Sequence, residues 1–144
     1  PDSFLSFAEK ARKLGAKIII AHGETVAEKV PKGTNRAAVA GKGLVDILAH
    51  PGLITEEEVA LAKASDIFLE ITSRLGHNAA NGHVARLAQK LGARLIVSSD
   101  THKPEDLIDQ QTAYTVALAA GLSETQAVKA VKENPRELLR RLLA

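Results

Sequence analysis

Apolar positions fall into two rhythms along the chain. Short aliphatic runs at residues 17–21 (KIIIA), 46–49 (DILA), 66–71 (DIFLEI) and 94–98 (RLIVS) read as buried strands. Between them the spacing is helical. Phe4, Phe7, Ala8, Ala11 and Leu14 form one stripe, with Asp2 or Ser3 as its cap and Gly15 as its stop. Thr34 caps a second helix ending near residues 41–43. Thr55 with Glu58 makes a capping box for a third, and Asn81 caps a fourth running to Leu91. Strands alternating with helices predict an α/β fold with a parallel sheet. Residues 13–20 (KLGAKIII) also match residues 90–97 (KLGARLIV), each a helix end, a turn and a strand start. After Asp100 the pattern is helical: a short turn at Pro104, a helix over residues 110–120, a cap at Ser123 with Gln126, and a last helix from Asn134 and Pro135. That last helix carries Leu138, Leu139, Leu142 and Leu143 on one face, and these helices are expected around the outside of the sheet.

Composition narrows the class. The 144 residues suit one domain, with 45% hydrophobic and 25% charged residues. No apolar run approaches a membrane span and no signal peptide opens the chain, so the expected location is the cytoplasm. Cysteine is absent, which removes disulfides, thiolate nucleophiles and zinc–cysteine sites. A net charge of +2 and 3% aromatics make nucleic acid an unexpected partner. The chain starts at Pro1 and contains no methionine, as expected of an excised piece or a processed N-terminus.

The chemistry gathers at strand ends. His22 and His50 directly follow the first and second strands, His77 and His83 lie beyond the third, and His102 follows the fourth. Glu70 ends the third strand and Asp100 the fourth. In parallel α/β folds the carboxyl ends of the strands form the active face, so all five histidines are predicted near one rim. One histidine alone is most often a hydrogen-bonded structural group; five with two carboxylates point to a site. Imidazole and carboxylate together suit zinc, manganese or iron. No His-Glu-x-x-His helix, Gly-x-Ser-x-Gly elbow or phosphate-loop spacing is present. Arg36, at a helix start, and Arg74, four residues past Glu70, are either phosphate clamps beside the ions or ordinary surface arginines. His77 is placed to touch substrate, and His83 to support its neighbours.

The stretches Ala21-His22-Gly23-Glu24-Thr25, Ala49-His50-Pro51-Gly52, Leu69-Glu70-Ile71 and Ser99-Asp100-Thr101-His102, in that order, resemble the second half of a PHP domain, the polymerase and histidinol phosphatase family. Gly33-Thr34-Asn35-Arg36 and the run from Gly76-His77-Asn78 to Asn81-Gly82-His83 resemble its histidinol-phosphatase-like members. The likeness implies a distorted (β/α)7 TIM-like barrel, a multinuclear divalent-metal centre and phosphoester hydrolysis through a metal-bound water. By position, His22, His50, Asp100 and His102 match metal ligands. Glu24, Glu70 and His83 are expected to support them without touching the ion, and Arg36, Arg74 and His77 to meet the substrate. The family's opening His-x-His strand has no counterpart here, so residues 1–144 are expected to be the C-terminal portion of one such domain, about four βα units. The expected activity is that of a phosphatase on a small phosphomonoester, weak or absent in this chain alone. Its open sheet edge would be covered by a missing N-terminal half or by a second copy. A PHP-type exonuclease module and a non-catalytic barrel subunit of the ribonuclease P type are the alternatives.

Overall fold

The computed structural model describes residues 3–143, the Leu142 side chain excepted; the proposed Asp2 cap and the Leu142 position of the last stripe lie outside the described residues. Four parallel strands, β1 (Ile20–His22), β2 (Ile47–Ala49), β3 (Phe68–Thr72) and β4 (Leu95–Ser98), form one sheet in the order β1-β2-β3-β4. Helices α1 (Phe4–Lys13), α2 (Thr34–Val39), α3 (Glu56–Ala64) and α4 (Asn81–Leu91) alternate with them. After β4 come a short turn (Pro104–Asp106), α5 (Gln110–Ala119) and α6 (Glu124–Val128). A single π turn (Lys129–Glu133) then leads into α7 (Asn134–Leu143).

The local signals act as expected in most places. Thr55 and Ser123 make full capping boxes with Glu58 and Gln126, and Asp109 caps α5 through the Thr112 N–H. Four helices close on the same turn: Ala16 donates to the Ala11 carbonyl, Ile67 to Ala62, Ala93 to Ala88 and Leu122 to Ala117. The residue before each donor has a positive φ: Gly15, Asp66, Gly92 and Gly121. This is the left-handed cap that satisfies the last carbonyls of a helix, and it explains the repeat between residues 13–20 and 90–97. Three caps differ from expectation. Ser3 precedes α1 but makes no side-chain capping bond. Gly33, not Thr34, precedes α2, and Asn81 is the first residue of α4. The Asn81 amide instead pairs with the Thr72 backbone in both directions, at 3.1 and 2.8 Å.

The two faces of the sheet are covered differently. Leu48, Leu69, Ile71 and Leu95 point into the main core with Val39, Val59, Val84 and Ala117 from the surrounding helices. On the opposite face, Ile47, Phe68 and Ile96 pack under Leu138 of α7. The last helix therefore lies across the other face of the sheet, a correction to its expected place on the outside. Its Glu137 accepts from Arg94 at 2.5 Å, and the Arg94 guanidinium sits 4.2 Å over the Phe68 ring. The polar grip and the buried leucine together hold α7, with ~1.5–3 kcal/mol from the leucine alone. Leu139 and Leu143 of the expected stripe are exposed.

β1 departs furthest from its sequence pattern. It begins at Ile20 rather than at residue 17, and Ile20 is 58% exposed. The strand is an edge, paired only with β2 among the described residues, and Ile20 stands outside the cluster that Leu138 forms over its register partner Ile47. Phe7 and Leu14 of the first stripe are exposed as well, leaving Ala8 as the buried residue of α1.

Candidate metal centre

The carboxyl ends of the strands converge. His22 ends β1, His50 follows β2, Glu70 lies within β3, and Asp100 stands two residues past β4. His77 arrives from the Gly76 turn, where a φ of +86° reverses the chain. The His50 ring lies at the centre, 4.4 Å from the His22 ring and 4.5 Å from the His77 ring by centroids. Nε2 of His50 is 3.8 Å from Oδ2 of Asp100. His50, His77 and Asp100 each offer a ligand atom, all within 4.8 Å of one another.

His50 is the most deeply buried of the three. It is 5% exposed, and its buried Nδ1 has no hydrogen-bond partner among the described residues. An orphaned polar atom in the interior is costly unless something binds it. Burial, then the neighbouring His22 and His77 rings, push its pKa down to about 4, so the ring is neutral at physiological pH and free to ligate. The donor set of two imidazoles and a carboxylate suits zinc, manganese or iron.

Glu70 supports this from below. It is 2% exposed, and its Oε2 accepts the His50 N–H at 2.5 Å while Oε1 accepts from the Ser98 hydroxyl. Burial raises its pKa, against the two hydrogen bonds that favour the carboxylate. It fixes the His50 backbone. Glu24 holds a neighbouring turn: its Oε1 accepts the Asn35 N–H at the start of α2, at 3.0 Å. His83 lies apart from the ligand group, with Nε2 2.7 Å from the Ile54 carbonyl.

The other predicted residues stand as follows. Both nitrogens of His22 are engaged, Nδ1 with the Gly23 carbonyl at 3.0 Å and Nε2 with Glu28 at 2.9 Å. The exposed His102 ring turns its Nδ1 to the Asp100 carbonyl at 2.8 Å. Arg74 is inside the site. Its Nε lies 3.5 Å from Oδ2 of Asp100, and its Nη1 donates to the Asp100 carbonyl at 3.2 Å and to Asp106 at 2.9 Å. Arg36 is exposed and pairs with Glu57 at 2.6 Å.

Sequence reading passed over three contributors. Thr25 meets Nδ1 of His77 at 2.7 Å, Glu28 meets His22, and Asp106 gathers Arg74 with the N–H groups of His102 and Lys103. Those N–H bonds, the His102 bond foremost, hold the Asp106 pKa below the usual carboxylate range. Asp106 stands three residues after Lys103 at a turn start, and Thr25 closes the resembling stretch Ala21–Thr25 without a role of its own; Glu28 carried no signal.

No protein-family model matches the chain. It is 47% identical over 142 residues, 99% of its length, to an uncharacterized protein of Methanocaldococcus jannaschii, and the match spans 65% of that protein. It is 40% identical over 81 residues, 49% of its length, to a protein of Shewanella amazonensis named a probable phosphatase, spanning 32% of it. Among solved structures, a chain in the cryo-EM structure of archaeal ribonuclease P with mature tRNA matches with a TM-score of 0.76 at 19% identity, over 97% of this chain and 64% of that one. The crystal structure of an uncharacterized protein matches with a TM-score of 0.69 at 12% identity, over 97% of this chain and 38% of that one. The structural likenesses, at these identities, are likenesses of fold. The chain spans less than two thirds of the length of each of these relatives. No helix among the described residues is long and apolar enough to cross a membrane.

Proposed function

We propose that this chain carries the cation-binding rim of a PHP-like, metal-dependent phosphoesterase acting on small phosphomonoesters. The observation that supports this most is the convergence of His50, His77 and Asp100, with the His50 ring buried and its Nδ1 without a hydrogen-bond partner among the described residues. The relative named a probable phosphatase points the same way. A bound zinc, manganese or iron ion would supply Lewis-acid polarisation of the phosphoryl oxygen and a water acidic enough to act as nucleophile near pH 7. His50, His77 and Asp100 would hold the cation. His22 and His102 stand at the margin of this group; for His22 to ligate through Nε2 its contact with Glu28 gives way, whereas the Nδ1 contact of His102 leaves its Nε2 to ligate. Arg74 is held by Asp100 and Asp106 through Nε and Nη1, so Nη2 is the nitrogen it offers to a phosphate. Arg36 reaches a phosphate only by leaving Glu57.

Residues 1–144 read best as the C-terminal portion of one domain, with the four strands as an arc of a distorted (β/α)7 barrel. The exposed β1 edge and the greater length of the relatives support this. Further chain or a second copy then covers that edge.

The ribonuclease P type of reading has one observation of its own. Lys129, Lys132, Arg136 and Arg140 are exposed along the last helical run, a row of cations that suits a phosphate backbone. Nucleic acid therefore returns as a partner to be tested, against the expectation from composition. Calorimetric titration with Mn2+ and Zn2+, an assay on p-nitrophenyl phosphate, and tRNA binding at two salt concentrations separate the readings. Cation uptake that is lost in His50→Ala supports the phosphoesterase. No cation uptake, with salt-sensitive tRNA binding, overturns it.

A further inference from the structure

The turns that follow the two rim histidines His22 and His50 are wound into each other. A Cβ on Gly23 would strike the Ala49 carbonyl and come within 2.7 Å of the Pro51 Cα. A Cβ on Gly52, at φ +58°, would strike the Glu24 carbonyl. Asn35 ties the same two turns: its Oδ1 accepts the Glu24 N–H at 2.8 Å and its Nδ2 donates to the Pro51 carbonyl at 2.8 Å. Backbones this close leave Thr25 little freedom. Thr25 is 6% exposed, its Oγ1 accepts the Ala27 N–H at 3.2 Å, and the same oxygen stands 2.7 Å from Nδ1 of His77.

His77 has no such anchor of its own. It opens a 3-10 turn (His77–Ala80) just after Gly76, and its ring reaches back across the rim to within 4.5 Å of the His50 ring. We infer that Thr25 is the positioning residue of His77: its hydroxyl occupies Nδ1 and leaves Nε2 as the nitrogen that takes a divalent cation.

The hydrogen bookkeeping supports the assignment. An imidazole ligates through an unprotonated nitrogen, so ligation by Nε2 puts the proton on Nδ1. Nδ1–H then donates to Thr25 Oγ1, whose second lone pair already accepts from Ala27. The contact at Nδ1 holds the ring orientation, and with Thr25 Oγ1 as the acceptor it holds the tautomer that leaves Nε2 free. Without it the ring can turn over and the two tautomers mix, and apparent affinity falls with the competent fraction. The inference rests on the cation reading proposed above.

The test uses the full chain with Thr25→Val, which keeps the shape and removes the hydroxyl, and Thr25→Ser, which restores it. Co2+ titration should weaken in Thr25→Val by roughly 10–100-fold, the usual effect of losing a group that orients a ligand, and recover in Thr25→Ser. Nitrogen-15 NMR of the His77 ring supplies a second readout. One fixed tautomer is expected in the cation-free wild type, and on adding Zn2+ the Nε2 signal shifts while Nδ1 keeps its proton. A folded Thr25→Val with wild-type Co2+ affinity overturns the inference, as does Zn2+ uptake through Nδ1 of His77. If the wild type takes up neither ion, the cation reading fails, and the cation-free NMR still decides the role of Thr25. A His77 tautomer fixed with the proton on Nδ1 upholds it, one with the proton on Nε2 or an averaged one overturns it, and that measurement needs no variant to fold.

Discussion

Nε2 of His50 lies 3.8 Å from Oδ2 of Asp100, although the two follow strands that are not neighbours in the sheet. Both residues have a left-handed backbone, with φ +30° for His50 and +47° for Asp100. Such a conformation costs a non-glycine residue ~1–3 kcal/mol and persists only where its surroundings impose it. Here Glu70, on the intervening strand, grips the His50 N–H. The strain is stored where the two side chains meet.

Asp100→Asn should separate stability from binding. Asparagine tolerates a left-handed φ at least as well as aspartate and keeps its shape. The melting temperature should hold within a few degrees while Mn2+ affinity falls at least about 10-fold, through loss of a charged ligand. Thermal melts beside calorimetric titration check both halves, and unchanged affinity would remove Asp100 from the ligand set.

Acid should weaken the fold through His50. Its pKa is about 4 in the folded protein and 6.5 as the ordinary value, so the unfolded chain binds the proton first. Stability is then fully present above pH 6.5 and falls as the pH drops toward 4, by up to about 3 kcal/mol. Glu70, raised by burial, takes up its proton earlier in the folded state and softens the lower end of that fall. Urea melts between pH 4 and 7 should show a shallower slope in His50→Gln than in the wild type; parallel slopes would show that another group titrates.

Glu70→Ala and Glu70→Gln should differ sharply. Alanine leaves the buried His50 N–H without an acceptor and opens a void, a loss of about 3 kcal/mol. Glutamine still accepts from His50 through its oxygen and can donate to Ser98, so its cost should stay under about 1 kcal/mol. Equal losses in chemical denaturation would mean that the charge of Glu70, not its hydrogen bonds, holds the rim.

Phosphate binding should distinguish the two arginines. Arg74 is fixed beside Asp100, whereas Arg36 is exposed against Glu57. Arg74→Ala should weaken phosphate binding to the Mn2+-loaded protein several-fold, and Arg36→Ala should leave it unchanged. The opposite order, read by calorimetry, would move the anion seat to the start of α2.

Two glycines with positive φ should behave differently on substitution. Gly15→Ala meets no atom within 4 Å and should cost only the ~1–2 kcal/mol of a left-handed alanine. Gly52→Ala drives a methyl group into the Glu24 carbonyl, so it should cost well over ~2 kcal/mol and loosen the turn that holds Thr25. Chemical denaturation of the pair gives the comparison directly.

The chain's local chemistry determined a good deal by itself. Capping boxes at Thr55 and Ser123 and stop signals at Gly15 and Gly92 are set by neighbours within five residues, so they survive any tertiary context. Aliphatic runs separated by helical spacing dictated the parallel strands, and a parallel sheet brought their carboxyl-end histidines to one rim. Tertiary structure decided the rest. Burial of β1 was illegible because an aliphatic run reads the same at an edge as at the centre, and Ile20 lies on the edge strand outside the cluster formed with Leu138. The face taken by α7 depended on Phe68 and Ile96, dozens of residues upstream, and on the grip of Arg94. The site divided along the same line. Residue type and strand-end position named His50 and Asp100. The entry of His77 into the ligand group, the turning aside of His102 and the contact with Thr25 were fixed by loop paths of a few ångströms, a scale on which spacing along a sequence carries no information.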